Sequence, residues 1–203
     1  MMESNPDAIF DCLYIGKRLQ RKINDFSMYE IQFFSYFSCL LSLYDGNPVE
    51  SWNYSFIRTE FGSPYSIEIH KSIQILTSGE FLREQKDISG YYAFTPKGVE
   101  YLNYFQAAMQ SISWRKKYLD TACTSISLLP YGDIKEAINS EPVLNSARHS
   151  QKRNLLLDSN PATKVLYSQF KALRTALEDK YTDLIVPATV WIDALNKEKN
   201  EFV

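Results

Sequence analysis

General acid–base chemistry in a protein starts with histidine, and this chain has two, His70 and His149. His70 stands beside Lys71 in a helical stretch and His149 in a basic loop. Each position predicts a solvated imidazole in place of a catalytic base. Among seven glycines there is no G-x-S-x-G, GxxxxGK(S/T), HExxH or GxGxxG sequence. The nucleophile elbow, phosphate loop, zinc helix and dinucleotide turn are therefore all unwritten. Cys12, Cys39 and Cys123 are widely spaced and odd in number. That predicts free buried thiols, and no disulfide framework or zinc site. Asp7 with Asp11, and Glu178 with Asp179, fit the solvated faces of helices better than a two-carboxylate site. The expectation is a protein that is not an enzyme and carries no cofactor or metal.

What remains is the chemistry of binding. Between Tyr65 and Gln74 the chain offers Tyr65, Ser66, Glu68, His70, Lys71 and Ser72, polar side chains able to touch base edges. Arg83, Lys86 and Lys97 follow, with Glu80, Glu84 and Asp87 among them. Arg115-Lys116-Lys117 and, further on, Arg148, Lys152 and Arg153 widen the set of candidate phosphate contacts. A dedicated DNA reader carries more arginine, because each neutralised phosphate adds counterion-release affinity. Solvated helix ends explain the same cations equally well. A protein-binding platform is the other reading, from Trp52, Tyr54 and Phe56 and from Tyr91, Tyr92, Tyr101, Tyr104 and Phe105. Tyr and Trp bury large area at interfaces for little entropy, though they also fill ordinary cores.

Composition bounds these readings. With 203 residues, 45% of them apolar and 14% aromatic, the chain is long and greasy enough to bury a core. A formal net charge of −2 argues against a surface wholly committed to phosphate backbones. No signal-peptide pattern opens the chain and no window approaches an ordinary membrane span. The expectation is a soluble cytoplasmic protein with no membrane contact.

The elements that would position these residues can be read in order. Asn5-Pro6-Asp7 predicts a helix start. Ser27 with Glu30 is a capping-box pattern opening a helix that is apolar almost all round and ends at Asp45-Gly46. A short helix is expected through Trp52, Tyr54, Phe56 and Ile57, then a third from Tyr65 that stops at Ser78-Gly79. Residues 81–86 and 91–94 read as two strands around a Ser-Gly reversal. Thr95-Pro96 starts the next helix. Further helices are expected from Leu119 toward Pro130, from Asp133 to Asn139, and after Pro161, with Pro187 kinking or restarting the last. Helix, helix, helix, ribbon, helix predicts a mainly α fold with a small β-wing. It is a winged-helix domain plus an N-terminal helix and a C-terminal helical extension. The expected division is 1–26 as an N-terminal arm, 27–145 as the winged-helix core with following helices, 146–160 as a linker or mobile loop, and 161–203 as the extension. The arms and the dense aromatics together predict more apolar faces than that core requires.

The run FGSPYSIEIHKSIQILTSGEFL, continued by YYAFTPKGVEYL, resembles small winged-helix proteins of bacterial mobile and defence loci. Gly62, Ser63, Pro64, Tyr65 and Ser66 resemble the turn of the antitoxin-type Panacea domain, with Ser63 inserted between Gly and Pro. Over roughly residues 8 to 145, including YGDIKEAINSEP from Tyr131 to Pro142, the chain is similar to the small middle component of Lamassu-like three-component ATPase defence systems. That resemblance implies a non-catalytic subunit bridging an SMC- or ABC-type ATPase and an effector nuclease, with double-stranded DNA as a further contact. Neither family's functional residues map onto this chain, so none is carried over. A winged-helix transcription regulator and an antitoxin-like neutralising protein stay open as alternatives.

Overall fold

A computed structural model describes residues 5–148, 153–178, 180–181 and 183–201. The first helix, α1 (Pro6–Ile23), starts where Asn5 accepts the backbone N–H groups of Asp7 and Ala8 at 3.0 and 3.2 Å, with Pro6 in the first turn. After β1 (Phe26–Ser27), the capping box closes over α2 (Met28–Tyr44). Ser27 N–H donates to Glu30 Oε2 at 2.6 Å and Glu30 N–H donates to Ser27 Oγ at 3.3 Å. Every residue of α2 from Ile31 to Tyr44 is buried, so this helix is the middle of the core.

The next stretch departs from expectation. Trp52 ends a short 3-10 turn, Val49–Trp52, and Ile57 lies in an extended strand. That strand, β2 (Ile57–Arg58), pairs antiparallel with β3 (Pro64–Tyr65), Ile57 opposite Tyr65 and Arg58 opposite Pro64. Gly62, at φ +81°, supplies the left-handed backbone that the tight reversal needs. Then come α3 (Ile67–Ser78), ended by Gly79, and the strands β4 (Leu82–Glu84) and β5 (Tyr91–Phe94). A second sheet has the order β1-β5-β4, antiparallel throughout, with Phe26 opposite Tyr92 and Leu82 opposite Phe94. Thr95 caps α4 (Pro96–Ala108). A 3-10 turn, Gln110–Arg115, leads to α5 (Lys116–Ser125), α6 (Tyr131–Ser140), α7 (Pro142–Arg148), α8 (Pro161–Ala176) and α9 (Ile185–Glu201). The protein is mainly helical with small antiparallel sheets.

Several expectations need correcting. The helix after Pro161 stops at Ala176, and the chain re-enters a helix at Ile185, so the break precedes Pro187. Pro187 sits in the first turn of α9, where its missing N–H costs no helical bond. The apolar faces expected as surplus are covered. From α1, Phe10, Leu13 and Ile15 are buried, and α1 packs on α2, α3, α4 and α5. Phe170 of α8 and Trp191 and Ile192 of α9 are buried too, with α8 on α2 and α7 and α9 on α5 and α6. Trp52, Phe56, Tyr92 and Phe105 are core residues. In the segment expected as a linker, Leu155 and Leu156 are buried and Asn154 bridges Ile57 of β2, while His149 and Lys152 lie outside the described residues. Among the described residues no helix is long and apolar enough to cross a membrane.

Two glycines mark close approaches of α4 and α1 to the β1-β5-β4 sheet. A Cβ on Gly98 of α4 would lie 2.1 Å from the carbonyl oxygen of Phe81. A Cβ on Gly16 of α1 would lie 2.7 Å from the Phe26 ring. Any side chain at Gly98 would therefore push α4 off the hairpin's base.

Candidate functional site

The sequence-derived candidates divide cleanly once the side chains are placed. Tyr65, His70 and Lys71 are half-buried at the outer side of α3, while Arg83, Lys86 and Lys97 are exposed on or beside the β4–β5 hairpin. Lys71, Arg83 and Lys86 make no ion pair among the described residues, and Lys97 lies 4.8 Å over the Phe81 ring. Of these six, His70 lines one groove and Arg83 and Lys97 another. Ser66, Arg115, Lys116 and Lys117 do not join them as surface contacts.

Ser66 is buried, and its role is architectural. From inside α2, Gln32 Oε1 accepts the Ser66 N–H at 2.7 Å and Gln32 Nε2 donates to the Ser66 carbonyl at 2.9 Å. A buried amide thus fixes the entry of α3 by satisfying both backbone groups of its N-cap residue. The Ser66 hydroxyl turns to Glu68 at 2.8 Å.

Arg115 is fully buried. Its Nε donates to Asp11 Oδ1 at 2.9 Å, its Nη2 pairs with Asp11 Oδ2, and its Nη1 donates to the Trp52 carbonyl at 3.0 Å. The guanidinium lies 3.7 Å over the Trp52 ring, and the Tyr54 hydroxyl also donates to Asp11. Burial acts to lower the Arg115 pKa, but the adjoining Asp11 carboxylate outweighs it and raises it above its ordinary value. Asp11, expected on a solvated helix face, is the buried counter-ion of this cluster. Lys117 pairs with Asp45, beside the Tyr118 ring, and Lys116 opens α5. Of the Arg115-Lys116-Lys117 run, then, Arg115 is internal and Lys117, though exposed, is paired with Asp45.

The region that does face outward is built by α3 and the β4–β5 hairpin. A groove of about 680 Å³ runs between them, lined by Met28, His70, Ile73, Gln74, Glu84 and Tyr92. His70 Nδ1 lies 3.2 Å from Met28 Sδ, and its ring is 5.9 Å from that of Tyr65. Burial, with Glu68 adding to it, raises the Tyr65 phenol, which stays neutral at physiological pH. Ile67 at the start of α3, Ile88 in the hairpin turn and Tyr91 on β5 are exposed. The hairpin turn is organised by Glu84, whose Oε1 accepts the Gly90 N–H at 2.8 Å and the Ser89 hydroxyl at 3.2 Å. Glu84 is thus partly spent within the turn, which leaves Arg83 and Lys86 outward. On the far side of β4, a second groove of about 600 Å³ runs past Leu82, Arg83, Pro96 and Lys97.

Cys12, Cys39 and Cys123 are free and buried, and burial holds each thiol well above its ordinary pKa, so none presents a thiolate. Among the described residues no three His, Cys, Asp or Glu side chains gather as metal ligands. The side chains around the grooves offer apolar contact, hydrogen bonding and cationic charge.

Two placements were not anticipated from sequence. Gln32 was passed over inside an apolar helix, although one amide among buried neighbours is itself a sign of a paired interior partner. Phe61 and Arg58 went unremarked because the β2–β3 hairpin was read as helix and turn. The chain matches no family model, no curated protein and no solved structure.

Proposed function

We propose that this chain is a non-catalytic winged-helix interaction subunit of a bacterial defence complex, bridging an SMC- or ABC-type ATPase and an effector nuclease. The order α1, β1, α2, α3, β4, β5 with sheet order β1-β5-β4 supports a winged-helix arrangement, α3 being its third helix and β4–β5 its wing. The observation that carries the reading is the exposure of Ile67, Ile88 and Tyr91 on α3 and the hairpin, beside Lys71, Arg83 and Lys86, which make no ion pair among the described residues. Apolar anchors rimmed by charge are the composition of a protein interface. The defence assignment itself rests on the Lamassu-like resemblance over roughly residues 8 to 145, including Tyr131–Pro142.

The test is co-expression with the products of the neighbouring genes, followed by light scattering with and without duplex DNA. A stoichiometric hetero-complex, with the isolated chain indifferent to the duplex, is the expected result. A lone dimer that binds one duplex tightly would replace this reading with a winged-helix DNA-binding transcription regulator. The cations on α3 and the wing favour that second reading, since those elements meet the groove and the phosphates in such proteins. Neutralisation of a toxic neighbouring gene product would identify an antitoxin-like protein instead.

A further inference from the structure

Away from α3 and the β4–β5 hairpin, the β2–β3 turn presents Phe61, which is 94% exposed. The other phenylalanines among the described residues are buried or half-buried. Three arginines from separate parts of the chain converge on this turn. Arg58 stands in β2, and its N–H donates to the Arg153 carbonyl at 2.7 Å, which sets the two residues opposite one another across an antiparallel bridge. Like charges directly opposite cost stability. The acid within reach, Glu60, is 3.9 Å from Arg153 with both side chains mostly in solvent, so it offsets little of that cost. Arg148, from the end of α7, crosses the turn, its Nη2 3.5 Å from the Gly62 carbonyl and its Nε 3.0 Å from where a Gly62 Cβ would lie. Arg58 is half-buried, with Nη1 donating to the Thr59 carbonyl at 3.2 Å and Nε shielded from water, so its charge acts from beneath the turn.

We propose that this turn is a contact site for single-stranded nucleic acid, with the exposed Arg148 and Arg153 guanidinium groups on phosphates and Phe61 stacked on a base. Guanidinium forks match phosphate oxygens in pairs, and a ring open on both faces accepts any base. An acidic protein surface would satisfy the arginines but give the projecting ring no role. A duplex would have to unstack a base pair step before the ring could engage, whereas a single strand offers its bases at no such cost. The site stands apart from the α3–hairpin face, so either can fail without the other.

Fluorescence anisotropy of the full chain with a labelled oligothymidylate of about 16 nucleotides tests it, beside a duplex and a polyglutamate peptide. Binding to the single strand is expected, about 10-fold weaker in Phe61→Ala, as one lost stacking contact requires, and preserved in Phe61→Trp. Arg148→Ala and Arg153→Ala should each weaken it and lower the slope of log affinity against log salt by about 0.7, the value of one phosphate contact on a single strand. Phe61, Arg148 and Arg153 have exposed side chains, so these variants are expected to fold, and Lys71→Ala with Arg83→Ala should leave this affinity unchanged. No single-strand binding, binding indifferent to Phe61→Ala, or preference for the duplex or for polyglutamate would each overturn the proposal.

Discussion

Two groups of cations stand close in composition and opposite in fate. Around Arg115 the charge has gone inward: a bidentate pair with Asp11, a carbonyl, an indole face, and beside it Lys117 held by Asp45. On α3 and the β4–β5 hairpin, half-buried Lys71 and exposed Arg83 and Lys86 make no ion pair among the described residues. Arginine in a sequence is equally consistent with both outcomes. What separates them is whether a distant acid meets it in a dry place. The first group explains why the 3-10 turn before α5 stays docked on α1 and the Trp52 turn. The second is available to something outside the chain.

The comparison is broken most severely at Arg115. Arg115→Ala leaves Asp11 buried without its partner and should cost about 3–5 kcal/mol, read from the urea midpoint. A loss below about 1 kcal/mol would mean that the cluster is not internal. Arg115→Lys should also destabilise, because an ammonium cannot span both oxygens and the Trp52 carbonyl. Next in size comes Gln32→Ala, which strips the buried Ser66 N–H of its partner and leaves the Ser66 carbonyl only the His70 N–H, at about 1–3 kcal/mol. It should also weaken partner binding, by loosening the start of α3.

A buried acid without a clasping arginine sharpens the contrast. Glu141 accepts hydrogen bonds from the Tyr36 hydroxyl and from the N–H groups of Val143 and Leu144 at the start of α7. Burial nonetheless pushes its pKa up to about 7 from an ordinary 4.5. The folded state then holds a proton that the unfolded state has released, so stability falls as pH rises from 4.5 toward 7 and levels off above. Urea titrations across that window should show the slope, and Glu141→Gln should flatten it. The smallest effects on stability belong to the outward group. Lys71→Ala, Arg83→Ala and Lys86→Ala should each lie within about 0.5 kcal/mol of the parent, while lowering affinity for the partner.

Much of the fold was legible because its signals are local. Asn5-Pro6, the Ser27–Glu30 box, Gly79 and Thr95-Pro96 each satisfy backbone groups within a turn of themselves, and the structure uses all four. The β2–β3 hairpin was not legible. A short apolar run such as Trp52 to Ile57 fits helix and strand alike, and β2 is settled by pairing with Tyr65 on one side and Asn154 on the other. The site was half legible for the same reason. Lys71, Arg83 and Lys86 lie on elements whose own pattern orients them, whereas Arg115 depends on an acid 104 residues earlier. Asp11 looked solvated because the sequence around it is helical, and helical periodicity says nothing of which partner covers a face.

The central claim is that the α3–hairpin face holds a protein partner. Its most direct test is co-purification of the Lys71→Glu, Arg83→Glu double variant with the neighbouring gene products, alongside its melting temperature. The account predicts an unchanged melting temperature and loss of the stoichiometric complex. A complex of undiminished amount, formed by a variant that folds as well as the parent, would contradict it.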